Sequence, residues 1–447
     1  MKRFLTVAFY AGIAALCAYS TTFSSLAFAE NGFVSLSPTE SAKWTEDGKA
    51  AAGWVKYGGE ATFETVGDAI VGKRGPGYST FLCTEKKYSN FIFKCETKID
   101  VDVNSGIQFR SNTRPGKWEN KDVSIVFGYQ CESTLHPEHR NAFVYDEGRR
   151  GRWINADTPE LIEKSAAAFK KDEWNEYTIQ CVGPSIKTWL NGTLVSDFID
   201  LESSDGFIAL QMHVAPQGEV QWRNIRIKEL PATPWVPLYA NGKFGDLESK
   251  CLWEQIDGDS PFGSFVPKSI AVNKVLPDGT LSSSTPPNQK EDGILVSKKN
   301  YQDFAVKVSF KMESGNSGLY FRAKENDQSY WLSGFQCEIA MDSKVNAALW
   351  EVAGRGWVGK TQQTEAVSAK ATKQGDWNNI ATVAVGDHIV TFLNGETVMN
   401  LIDPKPTHGS SGKVGLQLHG GGSQGCLFRD FYIMPLNEEA VKLINAK

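Results

Sequence analysis

The amino-acid sequence predicts an all-β protein made of two copies of one β-sandwich. The first observation is an internal repeat, because seven short segments recur in the same order 203 to 213 residues later. The second is that each copy holds roughly ten short runs rich in β-branched and aromatic residues, which favour strands. The third is Asn191-Gly192 between two such runs, since both residues tolerate the positive φ of a tight hairpin turn. We expect two antiparallel sheets packed face to face in each copy.

The repeat spans a whole domain rather than a short solenoid unit. The matching segments are residues 88–91 and 301–304, 104–110 and 316–322, 128–132 and 334–338, 174–175 and 377–378, 189–192 and 392–395, 210–213 and 416–419, and 222–225 and 428–431. A short linker, Pro231-Ala232-Thr233-Pro234, separates the copies. We therefore predict a first module at residues 31–230 and a second, diverged module at residues 235–436, followed by a short helix or a loose tail.

Composition and charge restrict the class of function. The 447 residues are 41% hydrophobic, which is enough for a sizeable core, and the net charge is −5 without a long run of either sign. Nucleic acid binding needs a concentrated basic surface, so we expect no nucleic acid partner. The eight cysteines are scattered at spacings that suit neither a disulfide framework nor a zinc site. We interpret most of them as small core residues, and the oligomeric state is left open.

The first residues have the three parts of a secretory signal peptide. Lys2 and Arg3 precede an apolar stretch over residues 4–18, and Ala27-Phe28-Ala29 provides the small residues that a signal peptidase accepts. We predict cleavage after Ala29, which gives a signal peptide at residues 1–29 and a secreted or periplasmic protein. No later segment is long and apolar enough to span a bilayer, so no membrane span is expected.

Alternation along three predicted strands of the first module places polar side chains on one face of each strand. In a strand, successive side chains point to opposite faces, so apolar residues at every second position leave their polar neighbours on the other side. The polar residues assigned in this way are Gln108 and Arg110, Gln130 and Glu132, and Gln211 and His213. If the three strands are neighbours in one sheet, these groups form a polar binding surface. The simpler interpretation is an ordinary solvated sheet face.

The segment from Tyr145 to Trp153 concentrates reactive side chains. Its sequence is Tyr145-Asp146-Glu147-Gly148-Arg149-Arg150-Gly151-Arg152-Trp153. Carboxylates and a tyrosine can act as acid or base, and arginines can stabilise a developing oxyanion. The segment is therefore either part of a site or a surface turn held by ion pairs.

These motifs resemble the 3-keto-disaccharide hydrolase domain family. The resemblance rests on Gly75-Pro76-Gly77, Thr80-Phe81-Leu82-Cys83-Thr84-Glu85, Asn104-Ser105-Gly106-Ile107-Gln108-Phe109-Arg110, Tyr145-Asp146-Glu147 and Ile186-Lys187-Thr188-Trp189-Leu190-Asn191-Gly192. It covers nearly all of the first module, and the second module resembles the family more weakly. It implies a concanavalin A-like jelly-roll sandwich, export, and cleavage of glycosides oxidised at carbon 3, with some members described as lyases or hydratases. The implied partner is an oligosaccharide or glycoside.

The resemblance also implies site residues and their roles. A ketone at carbon 3 acidifies the hydrogen on carbon 2, so cleavage by elimination needs a base, an oxyanion stabiliser and an acid. The expected base is Glu132 or His213, and the expected acid is Tyr145 or Glu147. Arg110 and Arg150 are expected to stabilise the oxyanion. The side chains expected to hold the sugar are Gln108, Gln130, Asp146 and Gln211.

No cofactor and no catalytic metal are expected. Nothing in the sequence has the spacing of a metal-ligand motif, although sandwiches of the family can carry a calcium ion that stabilises loops. We interpret His136 and His139 as solvated loop residues.

The second module departs from the first where the chemistry is expected. Tyr145-Asp146-Glu147 aligns with Leu349-Trp350-Glu351, which removes the tyrosine and the aspartate. The retained polar residues are Arg322, Gln336, Glu338, Glu351, Arg355, Gln417 and His419. The second module thus either acts on another substrate or only binds sugar. For the whole protein the alternatives are a non-catalytic, lectin-like carbohydrate-binding protein and a hydrolase of unoxidised glycosides.

Overall fold

The computed structural model describes residues 32–37, 53–99, 103–135, 140–155, 158–214, 218–244, 246–247, 250–251, 272–285, 292–297, 299–325, 332–407, 409–421 and 424–446. The predicted signal peptide, His136 and His139 lie outside these ranges. In the described part of the chain, no helix is long and apolar enough to cross a membrane.

The first module contains fourteen strands and one helix in the described ranges. Their bounds are β1 Val34–Ser35, β2 Trp54–Gly58, β3 Thr62–Val66, β4 Ala69–Lys73, β5 Thr80–Thr84, β6 Phe91–Ile99, β7 Asn104–Trp118, β8 Lys121–Thr134, β9 Val144–Glu147, α1 Pro159–Ala168, β10 Asn175–Val182, β11 Ser185–Leu190, β12 Thr193–Ile199, β13 Phe207–Met212 and β14 Glu219–Glu229. An eight-stranded sheet has the order β12-β11-β10-β6-β14-β4-β3, with β1 added on β14, and a six-stranded sheet has the order β2-β5-β13-β7-β8-β9.

The second module repeats this plan. Its elements are β15 Val236–Ala240, β16 Lys243–Phe244, β17 Asp246–Leu247, β18 Lys250–Cys251, β19 Val272–Val275, β20 Leu281–Ser284, β21 Gly293–Val296, β22 Phe304–Ser314, β23 Asn316–Glu325, β24 Leu332–Ala340, β25 Leu349–Val352, β26 Gly356–Val358, α2 Gln362–Ala371, β27 Asn378–Val385, β28 His388–Leu393, β29 Glu396–Ile402, β30 Lys413–Leu418, β31 Gly425–Pro435 and α3 Glu438–Asn445. Its six-stranded sheet, β21-β30-β23-β24-β25-β26, contains in the same order the counterparts of β5, β13, β7, β8 and β9 and differs at the edges, and a nine-stranded sheet lies opposite.

The predicted pair of antiparallel β-sandwiches is confirmed. Between the sheets of the first module lies one apolar core, to which β6 contributes Phe93 and Cys95, and the six-stranded sheet contributes Ile107 and Leu210. Strand β6 alternates between buried and half-buried residues along its length, which is the period-2 pattern of a strand with one core face. Six cysteines are free and buried within the described ranges, in agreement with their interpretation as core residues.

The turns and helix ends follow from local chemistry. Asn191 and Gly192 have φ of 50° and 80°, so this hairpin turn forms as predicted. Helix α1 begins at a proline and is capped by Thr158, whose side chain accepts from the Leu161 N–H. Helix α3 shows that the end of the chain is helical, and Gln180 of the first module donates to the Leu443 carbonyl at 3.2 Å.

The long hairpin formed by β7 and β8 bends over the outer face of the six-stranded sheet. The register shifts after Phe109, and the distal half of the hairpin then packs back on the sheet. Val126 of the hairpin joins the apolar cluster of Phe81 and Ala209, whose side chains point away from the main core. This covering hairpin leaves one end of the face accessible, and that end carries the polar residues.

Candidate functional site

Strand order brings the polar residues of the first module together. Strands β13, β7, β8 and β9 are consecutive in the six-stranded sheet. Across them, Gln211 pairs with Gly106 and Gly106 with Glu132, while Gln130 pairs with Tyr145. Paired residues of antiparallel strands point to the same face, so these side chains share the outer surface of the sheet.

A cleft of about 360 Å³ opens at this place. Its lining residues are Asn104, Gln130, Glu132, Tyr145, Glu147, Gly148, Trp153 and His213. Five of the ten residues predicted from the sequence therefore line one cavity, and that cavity gathers two carboxyl groups, a phenol and an imidazole. These are the groups that acid–base chemistry needs.

Glu132 is the most perturbed carboxyl group of the cleft. Its side chain is 4% exposed and accepts hydrogen bonds from the amides of Asn104 and Gln130, the latter at 3.0 Å. Burial raises its pKa to about 7, although the two hydrogen bonds act in the opposite direction. A carboxyl group with a pKa near 7 changes its charge at the working pH of most enzymes and can accept a proton there.

Gly106 lets the Gln130 amide reach its position beside Glu132. A Cβ atom at residue 106 would lie 2.5 Å from Cγ of Gln130 and 2.7 Å from its Cδ. A side chain at this position would therefore displace Gln130, and the same glycine-over-glutamine contact recurs at Gly318 and Gln336. The close approach explains why a glycine stands in the middle of this strand.

Tyr145 and Glu147 project into the cleft from alternate positions of β9. Burial and the charge of Glu147 raise the pKa of the Tyr145 hydroxyl above 10. Burial and the neighbouring Asp146 likewise raise the pKa of Glu147. The Tyr145 ring packs edge-on against Trp153, with the ring centroids 5.1 Å apart. The hydroxyl thus stays protonated at neutral pH and can donate a proton.

His213 stands at the other side of the cleft with a defined tautomer. Its Nδ1 lies 2.8 Å from the Val214 carbonyl, which can only accept, so Nδ1 carries the proton and Nε2 keeps its lone pair. Burial lowers the pKa of the imidazole below 6.5, and the charge of Arg74 acts in the same direction. His213 is therefore neutral at pH 7 and is a second group able to accept a proton.

Gln108 and Gln211 lie behind the cleft. Gln108 is fully buried, where it donates to Gln130 at 2.9 Å and accepts from Ser111 at 2.7 Å. Gln211 is also fully buried, and neither its Nε2 nor its Oε1 has a partner among the described residues. An unsatisfied buried amide costs about 1–3 kcal/mol, so a polar ligand group reaching Gln211 would recover this energy.

Arg110 does not lie on the polar face, and the expected placement is wrong. The register shift that follows Phe109 gives Arg110 a positive φ of 46° and rotates its side chain away from the cleft. It is 1% exposed and donates to Ser89 and Asn90 in one loop, to the Gly183 carbonyl at 2.8 Å in a second, and to the Ser203 carbonyl at 3.4 Å in a third. Strict alternation fails at a bulge, and here Arg110 ties three loops together.

Asp146 and Arg150 also lie outside the cleft, contrary to expectation. Strand alternation turns Asp146 inward, where it is fully buried between Arg149 and Arg150. Arg150 contacts Asp200 as well, at 2.9 Å. We call these four residues the buried ion-pair cluster. The sequence allowed two interpretations of the segment from Tyr145 to Trp153, part of a site or a turn held by ion pairs, and both apply. Tyr145 and Glu147 face the cleft, while the buried ion-pair cluster stabilises the turn.

Three residues of the cleft, Asn104, Gly148 and Trp153, had no role in the sequence-based prediction. Asn104 opens a repeated segment and precedes Gln108 by two strand periods on the same face, a pattern that could have identified it. Trp153 is recognisable only through its ring contact with Tyr145, because a turn separates the two residues. Side-chain contacts across a turn do not follow from strand period.

Pairing in the second module corrects the alignment of the two copies by one residue. Tyr145 pairs with Gln130, and Trp350 pairs with Gln336, so Trp350 occupies the position of Tyr145. The matching positions are Val144 and Leu349, Tyr145 and Trp350, Asp146 and Glu351, and Glu147 and Val352. The tyrosine is lost as expected, but the lost carboxylate is Glu147 and not Asp146.

The second module contains an equivalent ion-pair cluster, and its position supports the corrected alignment. Glu351 is fully buried and pairs with Arg355, which also contacts Asp403 at 2.6 Å. Arg322, the counterpart of Arg110, has φ of 50° and donates to the carbonyl of Gln302. The sequence pattern groups Arg322, Arg355 and Glu351 with the candidate site of the second module. The structure shows instead that these side chains hold loops and turns in place.

A larger groove of about 500 Å³ lies between the modules. Residues from both modules line it, among them Glu202, Lys307 and Tyr432. Asp200 also lines this groove, and its carboxylate accepts hydrogen bonds from the Tyr129 hydroxyl and the Arg150 guanidinium. We place the candidate site in the smaller cleft because the acid–base groups meet there. Within the described ranges, no three His, Cys, Asp or Glu side chains are placed to hold a metal ion.

Comparisons with known proteins agree with two related modules. A family profile described as the 3-keto-alpha-glucoside-1,2-lyase-like domain matches residues 42–228 and again residues 234–434. No curated protein matches the chain.

The similar solved structures each cover less than half of this chain, which is about the length of one module. A candidate glycosyl hydrolase from Parabacteroides distasonis ATCC 8503 is 20% identical over 46% of this chain and 95% of its own, with a TM-score of 0.31. The carbohydrate binding module CBM66 from Bacillus subtilis is 15% identical over 40% and 96%, with a TM-score of 0.29. A Bacillus subtilis protein of unknown function with a galectin-like fold is 12% identical over 39% and 89%, with a TM-score of 0.29.

Proposed function

Both modules belong to the 3-keto-alpha-glucoside-1,2-lyase-like domain family, and from this membership we propose that the first module cleaves 3-keto-glycosides by elimination across carbons 1 and 2. The observation that carries the proposal is the pair formed by Glu132 and Tyr145 in one cleft. Burial gives Glu132 a pKa of about 7 and keeps the Tyr145 hydroxyl protonated. The cleft thus offers a base and an acid at the same pH.

The reaction can be written with these groups. Glu132 removes the hydrogen on carbon 2, which the ketone at carbon 3 has acidified, and the electron pair moves onto the carbon 3 oxygen as an enolate. The pair then returns to form the double bond between carbons 1 and 2 while the glycosidic oxygen leaves carbon 1. Tyr145 gives its proton to the leaving oxygen, and the proton that Glu132 has taken up then returns to the phenolate through water.

We assign stabilisation of the enolate oxygen to amide groups, because Arg110 and Arg150 lie elsewhere. Asn104 and Gln130 each place an amide nitrogen at Glu132 and have a second N–H. Gln211 adds a buried amide without a partner in the described part of the chain. Fixed N–H donors in a buried site stabilise developing negative charge without reorganisation.

Addition of water completes a net hydrolysis. Water adds oxygen to carbon 1 and hydrogen to carbon 2 of the unsaturated product, with no change of oxidation state overall. The neutral His213, with its free Nε2, is the second base of the cleft and suits activation of this water. The signal peptide predicted from the sequence supports action outside the cytoplasm, on glycosides that another enzyme has already oxidised at carbon 3.

Substrate analogues test the reaction type. We expect the full chain to release the aglycone from methyl 3-keto-α-glucoside and to leave methyl α-glucoside intact. Deuterium at carbon 2 is expected to slow the release several-fold, because elimination breaks that bond. Equal rates with hydrogen and deuterium would point to direct displacement at carbon 1, and turnover of the unoxidised glucoside would identify an ordinary glycosidase. Binding of the keto-glycoside without release would support the lectin-like alternative.

The pH dependence of kcat/KM follows from the two raised pKa values. Below pH 7 Glu132 takes up a proton and cannot act as a base, so the rate is expected to fall about tenfold per pH unit there. Above pH 7 the rate is expected to stay level to about pH 10, since Tyr145 keeps its proton over this range. A rate that already falls between pH 7 and 8 would exclude Tyr145 as the acid.

A further inference from the structure

The second module keeps the buried glutamate of the first. Glu338 accepts hydrogen bonds from the amides of Asn316 and Gln336, the latter at 3.0 Å, and burial raises its pKa to about 7. Asn316, Gln336 and Glu338 correspond to Asn104, Gln130 and Glu132 of the first module. The part of the site that positions a polar ligand has thus been retained.

The proton donors of the first module are missing from the second. Trp350 occupies the position of Tyr145, and Val352 that of Glu147. Val352 is 5% exposed and packs in an apolar cluster with Ile294 and Val296. Neither tryptophan nor valine can give a proton to a leaving oxygen at neutral pH.

His419 contacts a carboxylate, whereas His213, its counterpart in the first module, contacts a backbone carbonyl. A hydrogen bond to Asp292 raises the pKa of His419. Nδ1 of His419 lies 3.0 Å from Oδ1 of Asp292. Asp292 also accepts from the Gly420 N–H and from Gln417. Asp292 therefore favours the protonated form of the imidazole in the second module, whereas burial favours the neutral form in the first.

Two amide oxygens of this site are left for a ligand. Asn316 and Gln417 donate their amide N–H groups to Glu338 and Asp292, and a carboxylate only accepts, so the orientation of both amides is fixed. Their Oδ1 and Oε1 atoms are buried and have no partner within the part of the chain that the structure describes. Hydroxyl groups of a sugar are donors that suit these oxygens.

The second module also presents an aromatic surface at this place. Trp350 packs edge-on against Trp357 with the ring centroids 5.1 Å apart, and Trp357 is 39% exposed. The chain from Asn316 to Glu338 is six residues shorter than its counterpart from Asn104 to Glu132. Exposed aromatic rings beside a few convergent polar groups are typical of a binding site.

We propose that the second module is a non-cleaving binding site for the same class of sugar that the first module cleaves. Glu338, Asn316 and Gln417 hold its hydroxyl groups, and Trp350 with Trp357 packs against the apolar face of the ring. The ligand class rests on the proposed function of the first module.

Calorimetric titration with methyl 3-keto-α-glucoside tests this site. We use the full chain carrying Glu132→Gln, so that the probe is not consumed. Two molecules are expected to bind per chain, and adding Trp350→Ala is expected to remove one of them or to weaken it at least tenfold. Trp350→Tyr, which restores the residue of the first module, is expected to keep the site occupied.

Trp377→Ala is the matched control, since Trp377 lies in the second module against Arg429 and away from this site. It is expected to leave the number of bound molecules unchanged, and circular dichroism confirms folding of each variant. An unchanged number of sites after Trp350→Ala would overturn the proposal. If the unmodified chain does not turn over the probe but Trp350→Ala still removes a binding site, the proposed function fails while the second site stands.

Discussion

Glu132→Gln is expected to lower kcat for cleavage of a 3-keto-glycoside at pH 8 by about 10²- to 10⁴-fold, which is the usual contribution of a general base. The amide side chain is similar in shape to the carboxylate and cannot accept the proton from carbon 2. Gln130 can still donate to the new amide oxygen, and a flip of the Asn104 amide presents its Oδ1 to the new N–H group. KM is therefore expected to change little in comparison with kcat, and steady-state kinetics at saturating substrate measure the loss.

The same substitution is expected to change the pH dependence of stability. The pKa of Glu132 rises from 4.5 to about 7 on folding, so its contribution to stability is fully present below pH 4.5 and is lost as the pH rises through 7. This shift corresponds to about 3 kcal/mol between the two limits. The variant lacks this loss, and its unfolding midpoint is expected to fall less than that of the wild type between pH 5 and 8.

A surface glutamate provides the control for both measurements. Glu64 is about half exposed and pairs with Lys73, so Glu64→Gln is expected to leave both kcat and the pH dependence of unfolding unchanged. Retention of activity by Glu132→Gln together with loss of activity by His213→Ala would reverse the assignment of the base. The two variants therefore separate the bases that the sequence left open.

Asp146→Asn is expected to destabilise the first module by about 3–5 kcal/mol, because it removes one charge from a buried ion-pair cluster. Asp146 is fully buried and neutralises both Arg149 and Arg150. Asparagine fills the same space but leaves two guanidinium groups with only Asp200 as a charged partner. Urea unfolding monitored by tryptophan fluorescence is expected to show an early transition of this module.

The second module supplies the matched comparison for this prediction. Glu351→Gln breaks the equivalent pair, but Arg355 is 41% exposed and keeps both of its bonds to Asp403. A smaller loss, about 1–2 kcal/mol, is expected for an ion pair that water partly screens. Normal stability of Asp146→Asn combined with loss of sugar binding would instead return Asp146 to the substrate-binding role predicted from the sequence.

Strand period correctly predicted which residues share a face wherever the strand is regular. Gln130 with Glu132, and Gln211 with His213, lie on the outer face as alternation requires. The prediction failed for Arg110, because a register shift in the strand reverses the direction of the next side chain. A bulge has no clear signature in a single sequence, and neither the repeat nor the apolar pattern indicated this one.

The two copies illustrate a second limit. Their sequences suggested that Glu147 matches Glu351, whereas pairing with the neighbouring strand matches Glu147 to Val352. An alignment by residue type favoured the glutamate, but a shift of one residue in a strand moves every side chain to the other face. Hydrogen bonding between strands decides the register, and it shows that the second module lost the carboxylate of the cleft.

The sequence by itself determined the duplication, the all-β class and most of the polar face, because repeats, strand propensity and period-2 alternation are local properties of the chain. Only the tertiary structure decided which carboxyl groups are neutralised and which are left for chemistry. Asp146 pairs with Arg150, which also pairs with Asp200, 50 residues further along the chain, whereas Glu132 accepts hydrogen bonds from amides and Glu147 faces the cleft. Burial and charge partners set a pKa, and both depend on residues that the fold brings together.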